Sequence, residues 1–224
     1  MKLRSLEYRV CYCLACLVLI LMISMQISEN SNAEPDQQVP LSADEITPCV
    51  PGYKVPDIVL QLPDKSEFDL NNAIKQSPIV LIFYRGGWWP YCNLQLGQLR
   101  TIETELVRLG YLIIAVSPDS PETLSEHVEQ NEYNYILLSD NKLVAAKAFG
   151  IVFTVDDATV SKYREFDIDI EEASGETHHL LPVPSVFIID KDGIVRFAHV
   201  NPDYKVRLEP KELLKAAQSV LPTK

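Results

Sequence analysis

No part of this 224-residue sequence gathers lysine and arginine into a run, and acids outnumber bases by 31 to 20, for a net charge of −11. Binding to a phosphate backbone needs clustered positive charge, so the balance disfavours nucleic acid and anionic membrane as partners. Internal repeats and low-complexity tracts are also missing. Histidine is sparse: His127, His178, His179 and His199 stand beside no cysteine pair and no Glu-x-x-His spacing. The neighbours His178 and His179 diverge on most backbones, so no metal and no other cofactor is expected. Cysteine is sparse too, with three of the five (Cys11, Cys13, Cys16) inside the first sixteen residues.

What is there suits one globular domain behind a leader. Hydrophobic residues make up 47% and charged residues 23%, enough for a core of ordinary size. Lys2, Arg4 and Arg9 precede an apolar run over residues 10–25, and Ser31 and Ala33 put small residues before Glu34. That order reads as a signal peptide over residues 1–33 of an exported, periplasmic or otherwise extracytoplasmic protein. An uncleaved membrane anchor through residues 10–27 is the alternative. Cleavage leaves 191 residues with a net charge of −12 and two thiols, Cys49 and Cys92. Residues 34–52, punctuated by Pro40, Pro48 and Pro51, read as a linker arm, and residues 53–224 as the domain.

Within the domain the periodicity switches repeatedly. Residues 58–62 and 68–70 flank a turn and read as a hairpin. Residues 79–84 are a continuous apolar, β-branched run, which fits a buried strand. Arg85-Gly86-Gly87 breaks it, Pro90 suits the first turn of a helix, and Leu99, Ile102, Leu106 and Leu109 share one helix face that Gly110 closes. Strands follow at 111–116 and 135–138, with helices begun at Ser120-Pro121-Glu122 and Asp140. The acidic stretch 151–181 lacks periodicity and reads as an extended excursion. Residues 185–189, the turn at 191–193 and residues 194–200 form an antiparallel pair, and residues 210–220 a closing helix. The pattern predicts an α/β fold: a central mixed sheet flanked by helices.

Cys92 carries the chemistry. A thiol at a helix start meets free N–H groups and the positive end of the helix dipole, which favour thiolate, the nucleophilic form. Arg85 adds positive potential nearby. The opposing reading is an inert cysteine packed as a small hydrophobe. Trp88 and Trp89 either line a pocket above the sulfur or belong to the core. His127 is expected on a helix surface, His178 near the active loop, and His199 in a structural position on a strand.

The stretch Arg85-Gly86-Gly87-Trp88-Trp89-Pro90-Tyr91-Cys92-Asn93-Leu94-Gln95-Leu96 resembles the alkyl hydroperoxide reductase and thiol-specific antioxidant (peroxiredoxin) superfamily. It is nearest the branch with Arg-Gly-x-Trp-Cys-Pro-Tyr-Cys-x-x-Gln-Leu. Leu181-Pro182-Val183-Pro184, Phe187-Ile188-Ile189-Asp190 and Arg196-Phe197-Ala198-His199 are similar as well, so the resemblance covers roughly residues 50–220. It implies a thioredoxin-like fold with a peroxiredoxin-type insertion and a cis-proline at Pro184. It implies Cys92 as peroxidatic nucleophile, hydrogen peroxide or an organic hydroperoxide as substrate, and a thioredoxin-like or small-thiol reductant. A homodimer is the candidate assembly. Cys49, on an arm able to approach, is a candidate resolving thiol that would form a disulfide with Cys92; the alternative is a thiol unrelated to catalysis. Pro184 joins Trp88 and Trp89 as a candidate pocket residue.

The chain departs from the family at three places. Trp89 replaces the first thiol of Cys-x-x-Cys and also stands where peroxiredoxins have a threonine, and the family's late arginine falls on Pro184. Two other functions follow from those departures: a thioredoxin-fold binding or chaperone-like module without turnover, or a thiol-disulfide oxidoreductase, which Trp89 disfavours.

Overall fold

A computed structural model describes residues 38–130 and 135–220. The leader expected over residues 1–33 lies outside them. Among the described residues no helix is long and apolar enough to cross a membrane.

Strand β1 (Val59–Gln61) and β2 (Glu67–Asp69) form the expected hairpin. A short helix follows directly, α1 (Leu70–Gln76), capped by the Asp69 carboxylate, which accepts from the Asn72 N–H. Strand β3 (Ile79–Phe83) leads through the glycine break into α2 (Pro90–Arg108). Then come β4 (Leu112–Ser117), α3 (Pro121–Gln130), β5 (Ile136–Ser139) and α4 (Val144–Ala148). After the segment 151–182 the chain adds β8 (Ser185–Ile189), β9 (Val195–Val200) and α7 (Pro210–Val220). The seven strands described in the sheet run β2-β1-β5-β4-β3-β8-β9, with β3, β4 and β5 parallel and β8 antiparallel to β3.

Alternation along the strands gives the sheet two apolar faces. Leu81, Phe83, Ile114, Val116, Phe187 and Ile189 face one cluster, closed by Leu70, Ile74, Ala145, Ala146 and Phe149. Val80, Ile82, Tyr84, Ile113, Ala115, Val186 and Ile188 face the other, closed by α2 and α7 through Leu96, Leu99, Ile102, Leu106, Leu213 and Ala217. Both strand faces are therefore buried, which is why these strands read as unbroken apolar runs.

Four expectations are corrected. Residues 39–52 are a docked arm, not a loose linker: Val39, Ala43, Ile46 and Cys49 pack on the first cluster, and the Cys49 N–H donates to the Phe149 carbonyl at 3.0 Å. Gly150, at φ +68°, leaves no room for a Cβ beside the Thr47 carbonyl of that arm. The acidic segment is ordered into β6 (Val152–Thr154), α5 (Asp157–Arg164), α6 (Ile170–Ser174) and β7 (Leu180–Pro182), with β6 and β7 paired as a separate ribbon. Its acids serve as caps: Asp156 accepts from the Thr159 N–H, and Asp169 from those of Glu171 and Glu172. These helices have eight and five residues, too short to print a periodicity on the sequence. Asp140 is not itself the N-cap of α4. Leu143 holds that place at φ 56°, and the Asp140 carboxylate reaches past it to the Ala145 and Ala146 N–H groups. Finally, no cis peptide bond occurs among the described residues, so the bond before Pro184 is trans, as for most X–Pro bonds.

Candidate active site

The loop between β3 and α2 is held from below by a buried carboxylate. Asp119, just past β4, accepts from the Gly87 N–H at 2.9 Å, the Trp88 indole N–H at 3.1 Å and the Ser117 hydroxyl at 3.0 Å. Burial pushes its carboxyl up, while those donors and His127 pull the other way. Gly86 sits at φ +141°, where an added Cβ would strike the Trp88 indole and approach Asp119; a Cβ on Gly87 would enter the His127 ring. His127 is thus packed beneath the loop, not displayed on a helix surface. The loop closes through the Trp89 N–H to the Gly86 carbonyl and the Asn93 amide to the Gly87 carbonyl.

Pro90 opens α2 and Trp89 is its N-cap, with no side-chain cap bond. Cys92 is therefore the third helical residue, and its side chain is 0% exposed. This corrects the expectation that the helix start alone makes the thiol easy to ionise. Desolvation dominates and raises the thiol above its ordinary value. Arg207, a hydrogen bond from the Arg85 backbone, and the Arg85 guanidinium oppose it. Arg207 is the group the sequence did not flag. Its guanidinium donates to the Cys92 Sγ at 3.6 Å and to the Gln95 Oε1 at 3.1 Å.

Arg85 is 4% exposed and lies under aromatic rings, 4.8 Å from the Tyr204 centroid, 5.4 Å from Phe153 and 5.5 Å from Trp89. Among the described residues neither Arg85 nor Arg207 has an ion pair with a carboxylate. Two cations thus stand beside the sulfur. Trp89 also meets Tyr163 at a tilt at 5.6 Å and Tyr204 edge-on at 5.3 Å, and Trp88 meets Trp89 edge-on at 5.6 Å. The two tryptophans are half-buried parts of this aromatic rim, whereas Pro184 is buried.

The remaining candidates lie elsewhere. Cys49 packs on the Phe83 face of the sheet and Cys92 on the opposite, Tyr84 face; both are free thiols. Burial pushes the Cys49 thiol up to about 11. His178 is fixed by the Leu180 N–H on one ring nitrogen and the Asn141 carbonyl on the other, away from the active loop. His179 bonds to Glu171 at 2.9 Å. Nothing local in the sequence could reveal Arg207, Tyr204, Tyr163 or Asp119. Each reaches the site through tertiary folding, Arg207 from 115 residues beyond Cys92.

The model of the AhpC/TSA family matches residues 51–198, a span that holds Arg85, the glycine loop and Cys92. The chain belongs to the AhpC/TSA family. Relatives include peroxiredoxin Bcp of Escherichia coli K12, 32% identical over 50% of this chain, and peroxiredoxin Bcp of Bacillus subtilis 168, 32% identical over 45%. Those matches span 66% and 63% of the relatives' own length, slightly under two thirds. Among solved structures, peroxidoxin BcpB from Mycobacterium tuberculosis superposes with a TM-score of 0.60 at 19% identity, covering 77% of this chain and 98% of that one. Reduced Prx3 from Vibrio vulnificus, solved with hydrogen peroxide, gives 0.62 at 19% identity, covering 76% and 96%. The fold is that of peroxiredoxins: thioredoxin-like, α/β, with a central mixed sheet between helices.

Proposed function

We propose that this chain is a thiol-dependent peroxidase of peroxiredoxin type, reducing hydrogen peroxide or organic hydroperoxides at Cys92. One observation carries the reading: the Cys92 sulfur accepts from the Arg207 guanidinium at 3.6 Å and lies within the field of the buried Arg85, and neither cation has a carboxylate ion pair among the described residues. The thiolate attacks one peroxide oxygen, an S–O bond forms as the O–O bond breaks, and the departing oxygen takes a proton to leave as water or alcohol. Sulfur loses two electrons and becomes sulfenic acid; the peroxide gains them. Guanidinium donors stabilise the negative charge as it moves from sulfur to the leaving oxygen.

The reset is assigned to an external thiol, thioredoxin-like or small. Cys49 is a poor resolving residue, because the sheet stands between it and Cys92 and its thiol is held protonated. The thiol's burial requires the covering residues to part before peroxide enters, which lowers turnover. We also take the chain to be exported by its leader and to work as a homodimer. Mature N-terminal sequencing and light scattering check these.

Limiting peroxide followed by intact mass tests the function directly. A gain of one oxygen at Cys92, abolished by Cys92→Ser and kept in Cys49→Ser, is expected. A loss of two hydrogens would restore Cys49 as resolving thiol. No change at stoichiometric peroxide would remove the peroxidase and leave the binding module.

A further inference from the structure

Tyr204 and Arg207 share one short segment between β9 and α7; Arg207 reaches the thiol, and Tyr204 reaches the aromatic rim around Arg85. Arg207 is clamped between two acceptors on one face of α2: Cys92 at 3.6 Å and, three residues on, Gln95 at 3.1 Å. Tyr204 meets a different anchor, with the Arg85 guanidinium carbon over its ring. Its ring is 4.8 Å from the Arg85 guanidinium carbon, 5.3 Å from the Trp89 ring and 5.6 Å from the Tyr91 ring. Arg85 is almost completely buried, and its Nε has no hydrogen-bond partner. A desolvated cation against a ring face is the setting in which cation–π attraction is strongest. On the C-terminal side Leu208 packs into the core beside Arg207, while Asp203, Lys205 and Val206, joined by a turn, are exposed, so Tyr204 is the large side chain anchoring the N-terminal side of the turn.

We propose that Tyr204 is a positioning residue: by seating on the buried Arg85 guanidinium it holds the 203–207 segment so that Arg207 donates to the Cys92 sulfur. Arg85 then acts on the thiol twice, directly through its charge and indirectly by anchoring the segment that brings the second guanidinium. The arrangement supplies a donor from the loop before α7, whereas Pro184, buried in the sheet region, has none to give. The inference rests on the reading of Cys92 as nucleophile. Its test follows the pH midpoint of alkylation, which reports the thiolate whatever the rate of access and requires no peroxidase turnover.

The experiment measures the pH profile of iodoacetamide labelling at Cys92 in the full chain, read by peptide mass spectrometry. Arg207→Met keeps the apolar stem and removes the charge, so the labelling midpoint is expected to rise by roughly one pH unit, a tenfold loss of thiolate at fixed pH. Tyr204→Leu keeps the apolar filling and loses the ring face, and is expected to raise the midpoint in the same direction, lowering labelling at fixed pH by a factor of roughly three. Tyr204→Phe, which retains the ring, should match wild type. In an Arg207→Met background Tyr204→Leu should add nothing. The proposal is overturned if Tyr204→Leu lowers the midpoint or leaves it in place, if Tyr204→Phe behaves like Tyr204→Leu, or if the Tyr204 and Arg207 effects simply add. Far-UV circular dichroism on each variant confirms folding, and a conservative Tyr204→Met stands in should Tyr204→Leu misfold. Should the variants show these shifts while the wild-type protein consumes no peroxide, the peroxidase reading fails and the positioning role stands.

Discussion

Replacing Asp119 by alanine removes one carboxylate and strands three donors at once. Its side chain is 0% exposed, and it accepts from the Gly87 N–H, the Trp88 indole N–H and the Ser117 hydroxyl. A buried donor left without an acceptor costs about 1–3 kcal/mol. Ser117 is buried and bears a cost within that range, while Gly87 and Trp88 are partly exposed and recover some solvation from water. Removing a desolvated carboxylate returns part of the loss, since burial already disfavours its charge. The balance is about 3 kcal/mol, a large share of the roughly 5–15 kcal/mol that holds a domain together. With a urea slope of about 1–3 kcal/mol/M the unfolding midpoint should fall by about 1–3 M. Because the same carboxylate pins the loop that leads to Cys92, peroxide consumption should drop even in protein that remains folded. Equilibrium urea unfolding followed by tryptophan fluorescence, with activity measured well below the transition, makes the check. A midpoint within about 0.3 M of wild type would show that the loop is held by something other than Asp119, and the reasoning would fail.

Two further outcomes follow from other buried groups. Burial pushes Asp140 up to about 7 from an ordinary 3.8. The folded state therefore keeps this proton more tightly than the unfolded chain, and stability falls as pH rises from about 4 through 7. Asp140→Asn should flatten that slope in thermal melts across the window, and an unchanged slope would contradict the assignment. Cys49, its thiol pushed up to about 11, should label with iodoacetamide far more slowly at pH 8 than an ordinary cysteine near 9. Labelling at the rate of a free model thiol would place it in a different environment from the half-buried one beside Phe149.

The sequence by itself determined the sheet strands, because a strand buried on both faces has to be apolar without interruption, as residues 79–83 are. It determined α2 as well: Pro90 begins it, Gly110 follows its end, and Leu99, Ile102 and Leu106 face the core between them. It also located the thiol at the helix start, since only local order is needed for that. Helices of five and eight residues in the segment 151–181 left no periodic trace, and their acids announced charge where they act as caps. Only the tertiary structure decided the environment of Cys92. Whether helix dipole or desolvation governs a thiol depends on what covers it, and Arg207 reaches it from 115 residues downstream. Likewise, the side of the sheet that holds Cys49, opposite to Cys92, follows from how the N-terminal arm docks. That docking is set by packing against Phe149 and Gly150, which no spacing within the arm encodes.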